Sequence, residues 1–312
     1  MVAQKNLTLL YKEPNSEQQE MINKELQGDE KKTAHMEDLI HQWIKLDPAI
    51  PNDINHIRVR NYIRTTKHNL ERSKRKIENY LICKVNYPEI YSGRVPDSPQ
   101  CLQAFNTINM FFSPKLTKEG ARLGFFGIRD PNLDSFHINA ILKNAFMVCD
   151  TVYTVDYSVS GEIMIFDCKG MTSAHLPKVL MFFKTLSAIM KESYTFRIKT
   201  VHIVHPMPMI EIVLASIKHL FHKNIKECIF VHKEPSTLHS HIDLDLLPST
   251  YGGTMEDLNI LCDKFRDILI ENKTEFAKEE HIKYNGGVLP KHKQKSFTPE
   301  LIEGSFRKLE ID

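Results

Sequence analysis

No strand-like segment of these 312 residues is followed by a glycine-rich phosphate loop, and no nucleophile elbow occurs. Those absences set aside P-loop, dinucleotide-binding and hydrolase-elbow chemistry. The six cysteines, at 83, 101, 149, 168, 228 and 262, form no CxxC pair and are too sparse for a stapled secreted scaffold. No run approaches the ~20 apolar residues of a membrane-spanning helix. The apolar run near the N-terminus is shorter than the h-region of a signal peptide. Net charge is only +2, so no global field favours nucleic acid and any basic function must be local. Internal repeats and low-complexity segments are also missing. What remains is 42% hydrophobic and 26% charged, an ordinary globular composition. The expectation is a reduced, soluble, cytosolic protein of one large domain or two smaller ones.

The region from Gly161 to Gly253 organises the chain. An apolar strand ending in an acid (Glu162 to Gly170) leads into a helix over Leu176 to Lys191. A strand over Ile198 to His205, a very apolar helix over Met209 to Phe221, a strand over Glu227 to His232 and a turn over Leu247 to Gly253 follow. Alternating strands and helices predict a parallel-rich α/β sheet with crossover helices. Upstream, the pattern predicts helices over Ser16 to Gln27, Asp29 to Leu46, Asp53 to Thr66 and Asn69 to Asn86. Ser16 and Asp53 are read as caps, with Leu39, Ile40, Trp43, Ile44 and Leu46 on one apolar stripe. Residues 1–92 therefore read as an all-helical N-terminal domain, 93–277 as the α/β domain and 278–312 as a polar tail with Lys291, Lys293 and Lys295. Between helical domain and sheet, Arg122 to Ile128 reads as a strand and Asp134 to about Tyr157 as a helix. Met255 to Ala277 reads as another.

Catalytic constellations are weak. His232, His239 and His241 lie near Asp243 and Asp245, but without the paired spacing of a zinc site. Cys168 follows Asp167 at a strand end, where open sheets place ligands. A cysteine in an apolar strand is more simply a small hydrophobe, and a strand-end Asp caps the next turn. No catalytic residue, cofactor or metal is assigned. Arg58 to Lys76 is strongly basic and fits either a solvated helical face or a docking surface for an acidic partner.

Two features remain. The helix of Pro208 to His222 carries Met209, Ile210, Val213, Leu214 and Ile217 with little polar surface. It fits either a central core helix or a lid with a lipid on one side and a membrane on the other. Arg197 and Lys199, two apart on an extended chain, share a face. They form either a solvated strand end or, with Lys218, His222 and Lys223, a cationic patch for phosphate.

Several motifs resemble the CRAL-TRIO lipid-transfer family, in its branch similar to the tocopherol-transfer and retinaldehyde-binding members. They are Arg60-Asn-Tyr-Ile-Arg64 with Asn69 to Ser73, Gly161 to Asp167 with Gly170 and His175, Lys226-Glu-Cys-Ile, and Leu247 to Gly253. The tail Gly304 to Asp312 is similar to endings common in insect members. The resemblance implies a helical domain packed on an α/β cage around a lipid cavity, with the apolar helix as its gate. It also implies a non-enzymatic intracellular carrier that hands a tocopherol-, retinoid-, carotenoid- or sterol-like ligand to phosphoinositide-containing membranes. Cavity positions fall on Val148, Phe166, Leu186, Ile189, Met190, Val201 and Ile203. Headgroup positions fall on Arg197, Lys199, Lys218, His222 or Lys223, with a further one near Arg60 or Arg64. A monomer, peripheral on membranes, is expected. The alternative is a phosphoinositide-sensing regulatory or scaffold module with no cargo.

Overall fold

The computed structural model describes residues 11–155, 157–207, 210, 214 and 228–287. Helices α1 (Ser16–Leu26), α2 (Glu30–Leu46), α3 (His56–Thr65) and α4 (Leu70–Asn86) come first. Their starts are set by side-chain caps. Asp29 accepts from Lys32 N and Asn69 from Arg72 N, each at the first residue of a predicted helix. Two predicted caps differ. Asn15, not Ser16, closes a reciprocal box with Gln18 at 2.9 and 3.0 Å. Asn55, not Asp53, caps α3. Asp53 instead meets His281 Nε2 at 2.6 Å, tying the helical region to the far end of the chain. The stripe of α2 buries Ile40 and Ile44 but leaves Leu46 84% exposed, at the helix's last residue.

Two short helices, α5 (Pro88–Tyr91) and α6 (Pro99–Thr107), lead into the sheet. Strands β1 (Ile108–Leu116), β2 (Ala121–Ile128), β3 (Gly161–Asp167), β4 (Ile198–Val204) and β5 (Ile229–His232) lie in sequence order across it. β2 to β5 are parallel, as the strand–helix alternation predicts. β1 is antiparallel to β2, a strand not predicted from sequence. Its Pro114 removes one donor, which an edge strand tolerates. The crossover helices are α7 (Ile138–Val152), between β2 and β3, and α8 (Leu176–Ser193), between β3 and β4.

α7 is shorter than the predicted span at both ends. Leu133–Ser135 forms a separate 3₁₀ turn. Beyond Val152, Thr154 bonds back to the Thr151 carbonyl at 2.7 Å, competing with the helical ladder. The predicted helix over Met255 to Ala277 is two helices, α9 (Leu258–Glu271) and α10 (Lys273–Lys278). They break at fully buried Asn272, whose amide donates to the Ile268 carbonyl at 2.7 Å.

One buried apolar cluster runs from Ile40 and Tyr62 through Phe146 and Ile165 to Phe265, so helices and sheet share a core. Within it lies an ionic knot. Asp150 on α7 takes Arg58 of α3 at 3.1 Å and Arg94 at 2.6 Å, and also accepts from Tyr194. Glu279 stands 3.7 and 3.6 Å from the same two guanidiniums. Burial raises the Asp150 carboxyl and the two arginines lower it. The arginines prevail, holding it below the usual carboxylate range.

Of the predicted gate helix, Met209, Val213, Ile217, Lys218 and His222 lie outside the described residues, as does Lys223 of the expected cationic patch. Ile210 and Leu214 lie within them, and both are buried.

Candidate functional site

Strand alternation sorts the sheet into two faces. One presents Phe112, Gly124, Phe126, Met164, Phe166 and Val201, in register across β1 to β4. On the other, Phe125 stacks on Tyr251 and Phe230 meets His241. The first face does not pack solidly against α7 and α8. A cavity of about 990 Å³ separates them. Its walls are Ala145, Val148 and Cys149 from α7 with Phe182, Phe183, Leu186 and Met190 from α8. Met164, Phe166, Leu186 and Met190 stand in the middle of the sequence yet are only half-buried, because they face this space.

The floor is shaped by aromatic contacts. Phe126 stacks on Phe182 at 5.0 Å, Phe166 meets Phe183 edge-on at 5.2 Å, and Phe112 stacks on Phe196 at 5.7 Å. Gly124 permits this: a Cβ there would lie 2.8 Å from both Phe112 and the Met164 sulfur.

The charged residues of the wall are Arg72, Arg75 and Lys76 from α4, Lys191 and Glu192 from the end of α8, and Arg197 before β4. Four of them, Arg72, Arg75, Lys191 and Glu192, are exposed, so the charge sits at the mouth and the floor is apolar. Arg197 is half-buried. One Nη donates to the Thr65 carbonyl and the other is buried without a hydrogen-bond partner. Burial lowers its pKa. Its backbone N–H donates to Glu162, a carboxyl that burial pushes up to about 7.

Of the predicted cavity residues, Val148, Phe166, Leu186, Met190 and Val201 stand on this wall. Ile189 does not: it is fully buried and is absent from the cavity lining. Ile203 lines a separate void of about 30 Å³ with Phe166, Phe183, Ile210 and Leu214. Arg197 reaches the mouth, but Lys199 runs over Gly161 to donate to Ser160 Oγ at 2.8 Å. Lys218, His222 and Lys223 are outside the described residues. Arg60 and Arg64 turn away, both holding Glu30. The three α4 cations take the place expected for them. The basic segment thus divides: a buried arginine in the knot, a half-buried pair on Glu30, Lys67 on Glu25, Lys74 on Glu71, and a triad at the mouth.

The histidine-rich loop stays together only in part. The His232 and His241 rings lie 5.6 Å apart, both against His202, whose Nδ1 meets His232 Nε2 at 2.9 Å, while His239 bonds to the Tyr251 carbonyl. Asp243 pairs with Lys118 and Asp245 with Lys115. Among the described residues no group of three or more His, Cys, Asp or Glu could hold a metal. Burial pushes the Cys168 thiol up to about 12, which leaves it a poor nucleophile. Asp167 does accept from Lys169 N at 2.9 Å, the turn cap expected of it, and also holds Tyr251 and His205. Among the described residues, no helix is long and apolar enough to cross a membrane.

Sequence reasoning missed most of the phenylalanine lining. The signal was present as three Phe-Phe pairs, at 111–112, 125–126 and 182–183, all of which contribute to the cavity.

Comparison with known proteins adds the following. A family model described as CRAL/TRIO domain matches residues 106–253, and one described as Pinta-like, UBA domain matches residues 29–101. The chain is 22% identical over 237 residues to the alpha-tocopherol transfer protein-like protein of Mus musculus, covering 74% of this chain and 67% of that one. It is 20% identical over 235 residues to the Homo sapiens protein of that name, covering 74% and 68%. The crystal structure of Sfh5 superposes with a TM-score of 0.47 and 12% identity, over 67% of this chain and 75% of the other.

Proposed function

We propose that the chain, whose residues 106–253 match the CRAL/TRIO domain model, is a lipid-binding or lipid-transfer protein and a non-enzymatic carrier of one neutral hydrophobic molecule. The observation that carries this reading is the cavity of about 990 Å³ with an apolar floor and cations confined to its mouth. Burying one large apolar group is worth ~1.5–3 kcal/mol, so a ligand touching several of these side chains needs no charged anchor. The lack of a charged group on the floor favours a tocopherol-, retinoid-, carotenoid- or sterol-like molecule over a fatty acid held by its carboxylate. In this reading Phe166, Leu186, Met190, Val148 and Val201 grip the ligand.

The mouth cations would bring the carrier to an anionic, phosphoinositide-containing membrane, each adding ~1 kcal/mol near the surface. The buried, unpartnered Arg197 Nη supports a phosphate there. The open cavity favours a carrier over a sensing module without cargo, for which a collapsed interior would be expected. The test is mass spectrometry of an organic extract of the protein purified from its native tissue. One stoichiometric lipid is expected. A mixture mirroring bulk lipid would overturn the reading.

A further inference from the structure

Lys76 lies where two environments meet. It is on α4, at the mouth of the phenylalanine-lined cavity, and its amine donates to the carbonyl of Lys191 near the end of α8. The charged groups around that mouth are Arg72 and Arg75 on its own helix, Lys191 and Glu192 on α8, and Arg197 before β4, with Asn79, Thr65, Ser187 and Thr195 as polar neighbours in the same lining. Cations therefore outnumber the single carboxylate around it. We propose that Lys76 is a carbonyl-capture site: its amine forms a reversible imine with the aldehyde of an amphiphile whose hydrocarbon tail occupies the cavity. This rests on the carrier reading above.

The chemistry balances without an oxidant or reductant. The neutral amine's lone pair adds to the aldehyde carbon, and the carbonyl oxygen takes a proton to give a carbinolamine. Loss of that hydroxyl as water leaves the C=N bond, and hydrolysis returns the free aldehyde and amine. Two requirements follow. The amine must be neutral for part of the time, and the aldehyde must be held beside it. Burial lowers the Lys76 amine to about 8, with Arg72 and Arg75 acting in the same direction and Glu192 opposing. At pH 7 about one amine in ten is then neutral, against roughly one in three thousand for an ordinary lysine. The cavity supplies the second requirement, since a tail seated on Phe166 and Phe182 leaves the polar end of an amphiphile at the mouth.

The test uses the full chain, hexadecanal and cyanoborohydride, with peptide mapping of the reduced adduct and hexadecanol as a non-covalent control. The expected result is one dominant adduct per chain, on Lys76. It is lost in Lys76→Arg, which keeps the cation but forms no imine, and retained in Lys191→Arg. Its rate of formation rises with pH and levels off above about 8, where an ordinary lysine would still be accelerating. Labelling spread over surface lysines, or unchanged by Lys76→Arg, overturns the proposal. Retention of hexadecanol without a Lys76 adduct overturns the imine alone. Failure to retain hexadecanol overturns both the imine and the carrier reading.

Discussion

Arg58 and Arg72 are fourteen positions apart in the same helical region, yet they serve opposite environments. Arg58 is sealed in the ionic knot, against Asp150, with Arg94 and Glu279 around it. Arg72 and its neighbour Arg75 stand exposed at the cavity mouth, and among the described residues neither has an ion-pair partner. One helix, α7, separates the two regions: Val148 and Cys149 face the cavity and Asp150 the knot. The contrast teaches where charge is structural and where it is available. A buried arginine whose carboxylate is fixed is out of a ligand's reach. An exposed one beside an apolar hole does.

Three substitutions sharpen that contrast. Asp150→Ala strands Arg58 and Arg94 as uncompensated buried charges and should cost ~3–5 kcal/mol in urea unfolding. A loss below ~1 kcal/mol would mean that the knot is as dispensable as a surface pair. Glu162→Gln tests the boundary between the regions, where a carboxyl lies buried below Arg197. Its raised pKa means that the folded state binds its proton more tightly than the unfolded state does. Wild-type stability should therefore fall as pH rises from about 4.5 to about 7, and then level off. The glutamine variant should lack that slope, with a difference of up to ~3 kcal/mol above pH 7. Thermal melts across that range decide it. Arg72→Ala with Arg75→Ala should leave folding and ligand loading unchanged while weakening binding to phosphoinositide vesicles by ~2 kcal/mol. Unfolding by this pair would mean that the charge at the mouth is structural too.

Much of the scaffold was legible in the chain. Helix starts followed Asp29 and Asn69, and the strand–helix alternation gave the parallel strands. β1 escaped because its run, Ile108 to Leu116, mixes Asn109, Ser113 and Lys115 with apolar residues without alternation and contains a proline. Leu46 was misplaced because periodicity does not say where the partner surface ends. The site was harder to read. Val148, Phe166, Leu186, Met190 and Val201 came from a family resemblance, not from their own spacing. A wall residue such as Met190 and a core residue such as Ile189 are adjacent and equally apolar, and only the fold shows which one faces the space. The knot was invisible for a simpler reason. Its partners Arg58 and Asp150 are 92 positions apart, and a charge run looks the same whether its members are solvated or sealed.

Volume is the other property in which knot and cavity differ. The knot is a buried set of ion pairs and lines none of the cavity. The hollow beneath Gly124 is space the chain holds open with aromatic walls. Hydrostatic pressure favours whichever state eliminates internal void. It therefore acts on this protein chiefly through the cavity, and a chain filled by its cargo is a less compressible object than the same chain empty.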